Sequence, residues 1–217
     1  MNELKFLEIV PNTVNNIFVL SHGYGTDKND LLGLGMEFRR LLPNTAFLFV
    51  NAPWSVDVGT GEGYQWFSLK TMNLFSILKE IKVAHRMLNN FIDSQLARFS
   101  LNPSNLFLGG FSQGAIMSLY TGLRRQVAPM AILSFSGMLA DTLGTLKNEI
   151  RCKPNVLLIN GTADRVVPFN NLERSEKILK EFDIPVEAHS IHDMGHTIDD
   201  EAMEYARNFI KKVCNKI

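Results

Sequence analysis

Cysteine is scarce in this chain: Cys152 and Cys214 are the only two among 217 residues. Two thiols cannot build the disulfide framework on which small secreted domains rely, so they read as free thiols of a reducing compartment. Net charge is also absent. The 22 basic residues balance 22 acidic ones, so no field of one sign draws in nucleic acid or an anionic membrane surface, and neither is expected as a partner. No apolar run approaches the ~20 residues that span a bilayer. The segment Met1–Pro11 breaks its apolar residues with Glu3, Lys5 and Glu8 and lacks a small-residue cleavage site, so it does not read as a signal peptide. These absences lead to the expectation of a cytoplasmic location without membrane insertion. Repeats, low-complexity tracts and linkers are missing as well. A hydrophobic fraction of 46% over this length predicts one domain, residues 1–217, around a continuous core.

Short apolar runs alternate with longer helical patterns, the signature of a mostly parallel sheet covered on both faces. The runs are Ile17–Leu20, Ala46–Val50, Leu106–Leu108, Ala131–Phe135, Val156–Ile159 and Val186–Ser190, with an additional early strand near Lys5–Val10. Most are apolar at nearly every position, as strands buried on two faces require. Leu31, Leu34, Phe38 and Leu41 recur at helical spacing up to Pro43, although Gly33 and Gly35 weaken that helix by up to about 1 kcal/mol each. The segment Leu74–Phe99 carries Ile77, Leu78, Ile81, Leu88, Phe91 and Ile92 on one face. A last helix is expected from about Asp199 to Val213, its acidic start and basic end both complementing the helix dipole. Between a strand and the longest helix, Ala52–Met72 reads as a long irregular loop with Gly59, Gly61 and Gly63 inside it, placed to form one wall of a pocket.

Chemistry enters at Leu106–Gly114. A buried strand runs into Gly110-Phe111-Ser112-Gln113-Gly114, and a helix pattern follows through Ala115, Ile116, Leu119 and Leu123. A serine hydroxyl is a weak nucleophile that must stand at the tip of a sharp strand-to-helix turn to meet both base and substrate. Such a turn strains the serine backbone and brings strand and helix so close that side chains at Gly110 and Gly114 would collide. Ser112 is therefore the expected nucleophile.

A serine nucleophile needs a histidine to take its proton and a carboxylate to orient that histidine. In this strand–turn–helix context acid precedes base, each just beyond a strand. Asp164 lies in the loop after Val156–Gly161, and His196 follows Gly195 just before the last helix, so these two are the expected acid and base. His192 is a rival base in the same loop, whereas His22 at the end of an early strand is better suited to positioning a loop. His85 reads as a surface or satisfied core residue. A metal site from His189, His192, Asp193 and His196 is disfavoured, because strand alternation turns His189 away and Gly195 breaks the helical spacing a two-histidine motif needs.

Acyl transfer places negative charge on a carbonyl oxygen, which two backbone N–H groups can hold. Gln113, next to the nucleophile, supplies one. Tyr24, in the His22-Gly23-Tyr24-Gly25 turn after an early strand, supplies the other, since the glycines let the backbone turn its amides inward.

Taken together, H-G-Y-G at 22–25, Gln65-Trp66-Phe67, G-F-S-Q-G at 110–114, G-T-A-D-R-V-V-P at 161–168 and Gly195-His196 resemble the phospholipase/carboxylesterase family of α/β-hydrolases, in its order and over nearly the whole chain. That family includes acyl-protein thioesterases and small bacterial carboxylesterases, and the Q-W-F form is more similar to the bacterial branch. The resemblance implies an α/β-hydrolase fold, an acyl-enzyme mechanism, no cofactor, a small-molecule ester or thioester as substrate, and a homodimer as a frequent assembly. Carboxylic ester hydrolysis is the leading expectation, with acyl-thioesterase or lysophospholipase activity as the nearest alternatives. A non-catalytic binding protein on the same fold is the reading from another class; it would be expected to have lost one of Ser112, Asp164 and His196. Trp66, Phe67, Leu69, Met72 and Phe75, with Met138 and Val167, are candidate lining for an acyl groove, although such a stripe serves equally as core. Without a large insertion there is no cap domain, so the site should be open.

Overall fold

The computed structural model describes residues 3–59, 61–70, 73–140 and 146–215. In chain order its elements are β1 (Phe6–Ile9), β2 (Asn16–Ser21), α1 (Leu32–Arg39), β3 (Thr45–Val50), β4 (Trp54–Asp57), β5 (Glu62–Gln65), α2 (Leu74–Arg98), β6 (Leu106–Phe111), α3 (Gln113–Gly122), β7 (Ala131–Phe135), α4 (Leu146–Glu149), β8 (Asn155–Gly161), α5 (Asn170–Glu181), β9 (Val186–Ile191) and α6 (Asp200–Cys214). A seven-stranded sheet has the order β1-β3-β2-β6-β7-β8-β9. β1 pairs antiparallel with β3 at one edge, and every other neighbouring pair is parallel. The fold is that of an α/β-hydrolase.

Alternation along each strand assigns its side chains to one of two cores. Ile17 and Val19 of β2, Leu48 of β3 and Leu108 of β6 pack with Leu88 of α2, Leu119 of α3 and Leu179 of α5. Phe18, Phe47 and Phe107 point to the other face, where they meet Phe38 of α1 and Phe209 of α6. Phe18 is the centre of that second layer, its ring stacked 5.4 Å from Phe38, 5.6 Å from Phe47 and 5.5 Å from Phe107. Strands that feed two cores must be apolar throughout, which is why these runs were recognisable.

α6 begins where its acidic residues predict: Asp199 caps it by accepting from the Ala202 N–H at 2.8 Å, with Asp200 and Glu201 in the first turn and Lys211 and Lys212 in the last. The β4–β5 hairpin and the helices α4 and α5 depart from the sequence reading. The stretch expected to be irregular contains the β4–β5 hairpin, paired from Trp54↔Gln65 to Asp57↔Glu62. Its polar residues and glycines hide a strand signal, because the hairpin lies off the main sheet and does not have to be apolar on both faces. α5 also escaped notice. Its sequence, NNLERSEKILKE, is half charged, and only Leu172, Ser175 and Leu179 turn inward.

The order of strand addition reverses between the parallel neighbours β2 and β6, since the chain builds outward from β2 to β3 on one side and from β6 to β9 on the other. Ligands of open parallel sheets bind in the crevice at such a point, outside the carboxyl ends of the strands. The loops that carry Tyr24 and Ser112 leave the sheet there.

The two glycines of α1 separate propensity from packing. A Cβ at the exposed Gly33 would meet nothing within 4 Å, whereas one at the buried Gly35 would stand 2.4 Å from the Phe49 ring. Gly33→Ala should raise the melting temperature by about 1–3 °C through helix propensity alone. Gly35→Ala should lower it by several degrees, since overpacking of roughly 1–3 kcal/mol exceeds the same gain. Thermal melts of the two variants beside the parent check both signs.

Candidate active site

Ser112 sits between β6 and α3 with φ 54° and ψ −119°. A non-glycine residue in the left-handed half of φ space costs of order 1–3 kcal/mol and persists only where its surroundings fix it. Here they do. The Ser112 N–H donates to the Phe135 carbonyl at 2.9 Å, and its own carbonyl accepts from Ile116 N–H at 3.1 Å. A Cβ on Gly110 would lie 2.4 Å from the Gly114 carbonyl carbon, and one on Gly114 would lie 1.9 Å from the Ser21 carbonyl oxygen. The expected collision is present, and β2 takes part in it as well as the strand and helix that flank the serine.

Asp164 and His196 are brought together from loops that follow β8 and β9. Nδ1 of His196 stands 2.8 Å from Asp164 Oδ2, while Asp164 Oδ1 accepts the N–H groups of Val166 and Val167, each at 2.9 Å. The Asp164 side chain is fully buried. Burial by itself would raise its pKa, but the His196 hydrogen bond and then the two backbone N–H groups outweigh it, leaving the carboxyl below its ordinary value. The two loops are tied through backbone: Ala163 N–H donates to the Met194 carbonyl at 3.0 Å, Thr162 N–H to Ile191 at 2.9 Å, and Asp193 N–H to Thr162 Oγ1 at 3.0 Å. Gly161 permits that approach, since a Cβ there would be 1.9 Å from the Met194 oxygen.

The remaining histidines sort by partner. His192 is 88% exposed and paired with Asp193, away from any buried carboxylate. His189 stacks on Tyr205 with ring centroids 3.9 Å apart, and His85 contacts Thr121 Oγ1 at 3.1 Å. Burial and the neighbouring Arg124 and Arg125 push the His85 pKa down to about 4. Among the described residues no three His, Cys, Asp or Glu side chains gather as a metal ion would require.

His22 is buried at the end of β2. Its Nε2 accepts the Ala52 N–H at 3.0 Å, so Nδ1 carries the proton and donates to the Gly23 carbonyl at 2.6 Å. Burial lowers the ring's pKa and keeps it neutral for this double duty. The Tyr24 turn that follows faces the start of α3, where Gln113 is the first helical residue and has no carbonyl within its own helix to receive its N–H.

Ser112, His196, Tyr24 and Gln113 all line one cavity of about 400 Å³, with Gly23, Thr26, Asp30, Phe67, Leu69, Phe111, Ile116, Met138, Val166 and Val167. Of the candidate groove residues, Phe67, Leu69, Met138 and Val167 are therefore at the cavity. Trp66 and Phe75 are corrections. Trp66 is wholly buried in the core with its indole N–H on the His22 carbonyl at 3.0 Å. Phe75 is 71% exposed and shares no part of the cavity. Met72 lies outside the described residues. Sequence reasoning missed Ile116, which a helical step of four from Ser112 would have found. It also missed the Gln113 side chain, which is buried and bonded to the Trp66–Phe67 backbone.

A family model described as Phospholipase/Carboxylesterase matches residues 6–214. The chain belongs to that family. Esterase PE8, a solved structure, is 35% identical to this family member, with a TM-score of 0.90 over 98% of this chain and 100% of that one. Acyl-protein thioesterase 1 of Aspergillus fumigatus is 29% identical, covering 90% of this chain and 86% of its own length. Carboxylesterase SOBER1 of Arabidopsis thaliana is 27% identical over 79% of this chain and 78% of its own. The phospholipase/carboxylesterase membership makes the chain an ester hydrolase by class.

The depressed Asp164 pKa fixes a sign. An unfolded aspartate ionises near about 3.9. The ionised carboxylate therefore stabilises the fold fully above that value, and the contribution is lost as pH falls through the lower folded one. The stability difference between the parent and Asp164→Asn should shrink as pH is lowered from 6 toward 3, as urea titrations at each pH would measure.

Proposed function

We propose that this chain is a serine hydrolase that cleaves carboxylic esters through an acyl-enzyme, with residues 1–217 as one catalytic domain. The observation that carries the reading is the Asp164–His196 hydrogen bond of 2.8 Å, held at the wall of the cavity that also contains the strained Ser112. In the proposed scheme Nε2 of His196 takes the proton of Ser112 Oγ as that oxygen bonds to the substrate carbonyl carbon. Asp164 keeps the ring in the tautomer whose Nε2 is free and stabilises the imidazolium that results. The N–H groups of Tyr24 and Gln113 receive the oxyanion, each worth ~3–4 kcal/mol in the transition state. His196 then returns its proton to the leaving alcohol, which departs as the acyl–Ser112 ester remains. Water, deprotonated by the same imidazole, releases the carboxylic acid and restores the serine.

Phe67, Leu69, Ile116, Met138 and Val167 give one side of the cavity an apolar lining suited to an acyl chain. The scheme needs no cofactor. Acyl-thioester hydrolysis is the second reading, favoured by the relative named an acyl-protein thioesterase. It uses the same groups, with a thiolate that leaves more readily. Zero net charge and two free cysteines support a cytoplasmic setting without nucleic-acid partners. No helix among the described residues is long and apolar enough to cross a membrane. A homodimer is proposed from the family alone.

A fluorophosphonate probe should label the parent and fail to label Ser112→Ala, whose turnover of p-nitrophenyl esters should drop ~10⁴-fold or more. Labelling or turnover that survives in Ser112→Ala overturns the reading. A series of p-nitrophenyl esters and acyl thioesters of rising chain length, compared by kcat/KM, separates the two substrate classes.

A further inference from the structure

Two backbone N–H groups that share one oxygen must be spaced to within a few tenths of an ångström, yet Tyr24 and Gln113 come from different loops. The segment that joins those loops is 63–67. Gly25 N–H donates to the Tyr64 carbonyl and Tyr64 N–H to the Thr26 carbonyl, both at 2.8 Å. Gly63 packs so closely on this turn that a Cβ would stand 2.2 Å from the Gly25 oxygen. At the turn's entrance the Trp66 indole N–H holds the His22 carbonyl at 3.0 Å. The His22 ring in turn fixes the Gly23 carbonyl and the Ala52 N–H. Residues 22–26 are thus gripped on both sides of Tyr24 by residues 64–66.

What grips 66–67 is the side chain of Gln113. Its Oε1 accepts the Trp66 N–H at 2.9 Å and its Nε2 donates to the Phe67 carbonyl at 2.8 Å. Gln113 is only 3% exposed, so water does not compete for either bond and both backbone groups would be left buried and unpaired without it. Asparagine is too short to reach both groups, and an apolar residue of the same length satisfies neither.

Resting on the serine-hydrolase reading above, we propose that the Gln113 side chain is a positioning residue that sets the Tyr24 donor relative to the Gln113 N–H, acting through Trp66 and His22. One residue thereby offers a donor to the oxyanion from its backbone and fixes the partner donor through its amide. The same two bonds seat Phe67 at the cavity wall.

The test compares the parent, Gln113→Met, Trp66→Phe and the double variant on p-nitrophenyl acetate, whose acyl group is too small to need the apolar wall. Near-ultraviolet circular dichroism and thermal melts establish that each is folded at the assay temperature. Each single substitution should lower kcat about tenfold to hundredfold while KM stays within about threefold, because a displaced donor weakens the transition state and not the bound ester. The double variant should fall no further than about threefold below the weaker single, since both substitutions cut one series of contacts. A folded Gln113→Met that keeps kcat within about threefold of the parent overturns the proposal, as does a double variant whose loss is the product of the two singles. If Gln113→Met does not fold, Trp66→Phe carries the test, and a folded Trp66→Phe that keeps kcat within about threefold of the parent overturns the proposal. Turnover that persists in Ser112→Ala instead strikes the serine-hydrolase reading, and the positioning role falls with it.

Discussion

At the junction of β2, β6 and α3 there is no room for a side chain. Gly110 faces the Gly114 backbone, and Gly114 lies against the carbonyls of Ser21 and His22. This close contact permits the sharp turn at Ser112, holds its backbone at positive φ, and aims the first turn of α3 at the crevice. It also brings the end of β2 beside Ser112, so the Tyr24 turn emerges next to Gln113. Close packing of this kind transmits displacement, because the interior has no slack to absorb it. Position after position in the site depends on the absence of two β-carbons.

A second contact of the same type joins the loops of Asp164 and His196. Gly161 lets the end of β8 touch the backbone of Met194, and the ladder from β8 to β9 continues beyond the strands through Thr162 and Ala163. The Asp164 carboxylate then finds all its partners locally: two N–H groups from its own loop and the His196 ring. A buried charge needs such satisfaction, since an unpaired carboxylate would take up a proton and lose its grip on the imidazole. The His196 ring is further confined by Phe111, 4.7 Å away between centroids. The orientation of the His196 ring is thus set by a carboxylate at Nδ1 and an aromatic ring beside it.

How much of this could be read from sequence follows the physics of each element. Strands β2, β3, β6, β7 and β8 are buried on both faces, so their composition announced them. β4, β5 and α5 are solvated on one side or more and gave only mixed patterns. In the candidate site, the glycines and serine of 110–114, Asp164 and His196 stand out in the sequence because the proposed chemistry asks for a residue type at a fixed place beside a strand end. His196 is preferred over His192 in the sequence by its place after Gly195 and before the last helix, and the structure adds that His192 is exposed while His196 is bonded to Asp164. Trp66 and Phe75 show the converse limit. Both are large aromatics near the cavity wall in sequence, yet Trp66 is sealed in the core and Phe75, in the first turn of α2, projects into solvent. Aromaticity carries no information about which way a residue faces.

The hardest feature to read was the amide of Gln113, since the residue already had a sufficient backbone reason to be there. Its side chain satisfies the polar backbone of an otherwise buried loop, a requirement that arises only once 66–67 is folded against α3. Loops normally meet that requirement at the surface, with water. This one is held from inside by the helix that follows Ser112, while its neighbour Leu69 is 51% exposed at the cavity. The segment therefore combines a rigid base, tied to the groups around Ser112, with a tip that solvent reaches. In the proposed reaction, fixed donors at the bottom and an exposed apolar edge at the top suit chemistry that must be invariant at the carbonyl and tolerant of what the acyl chain beyond it is.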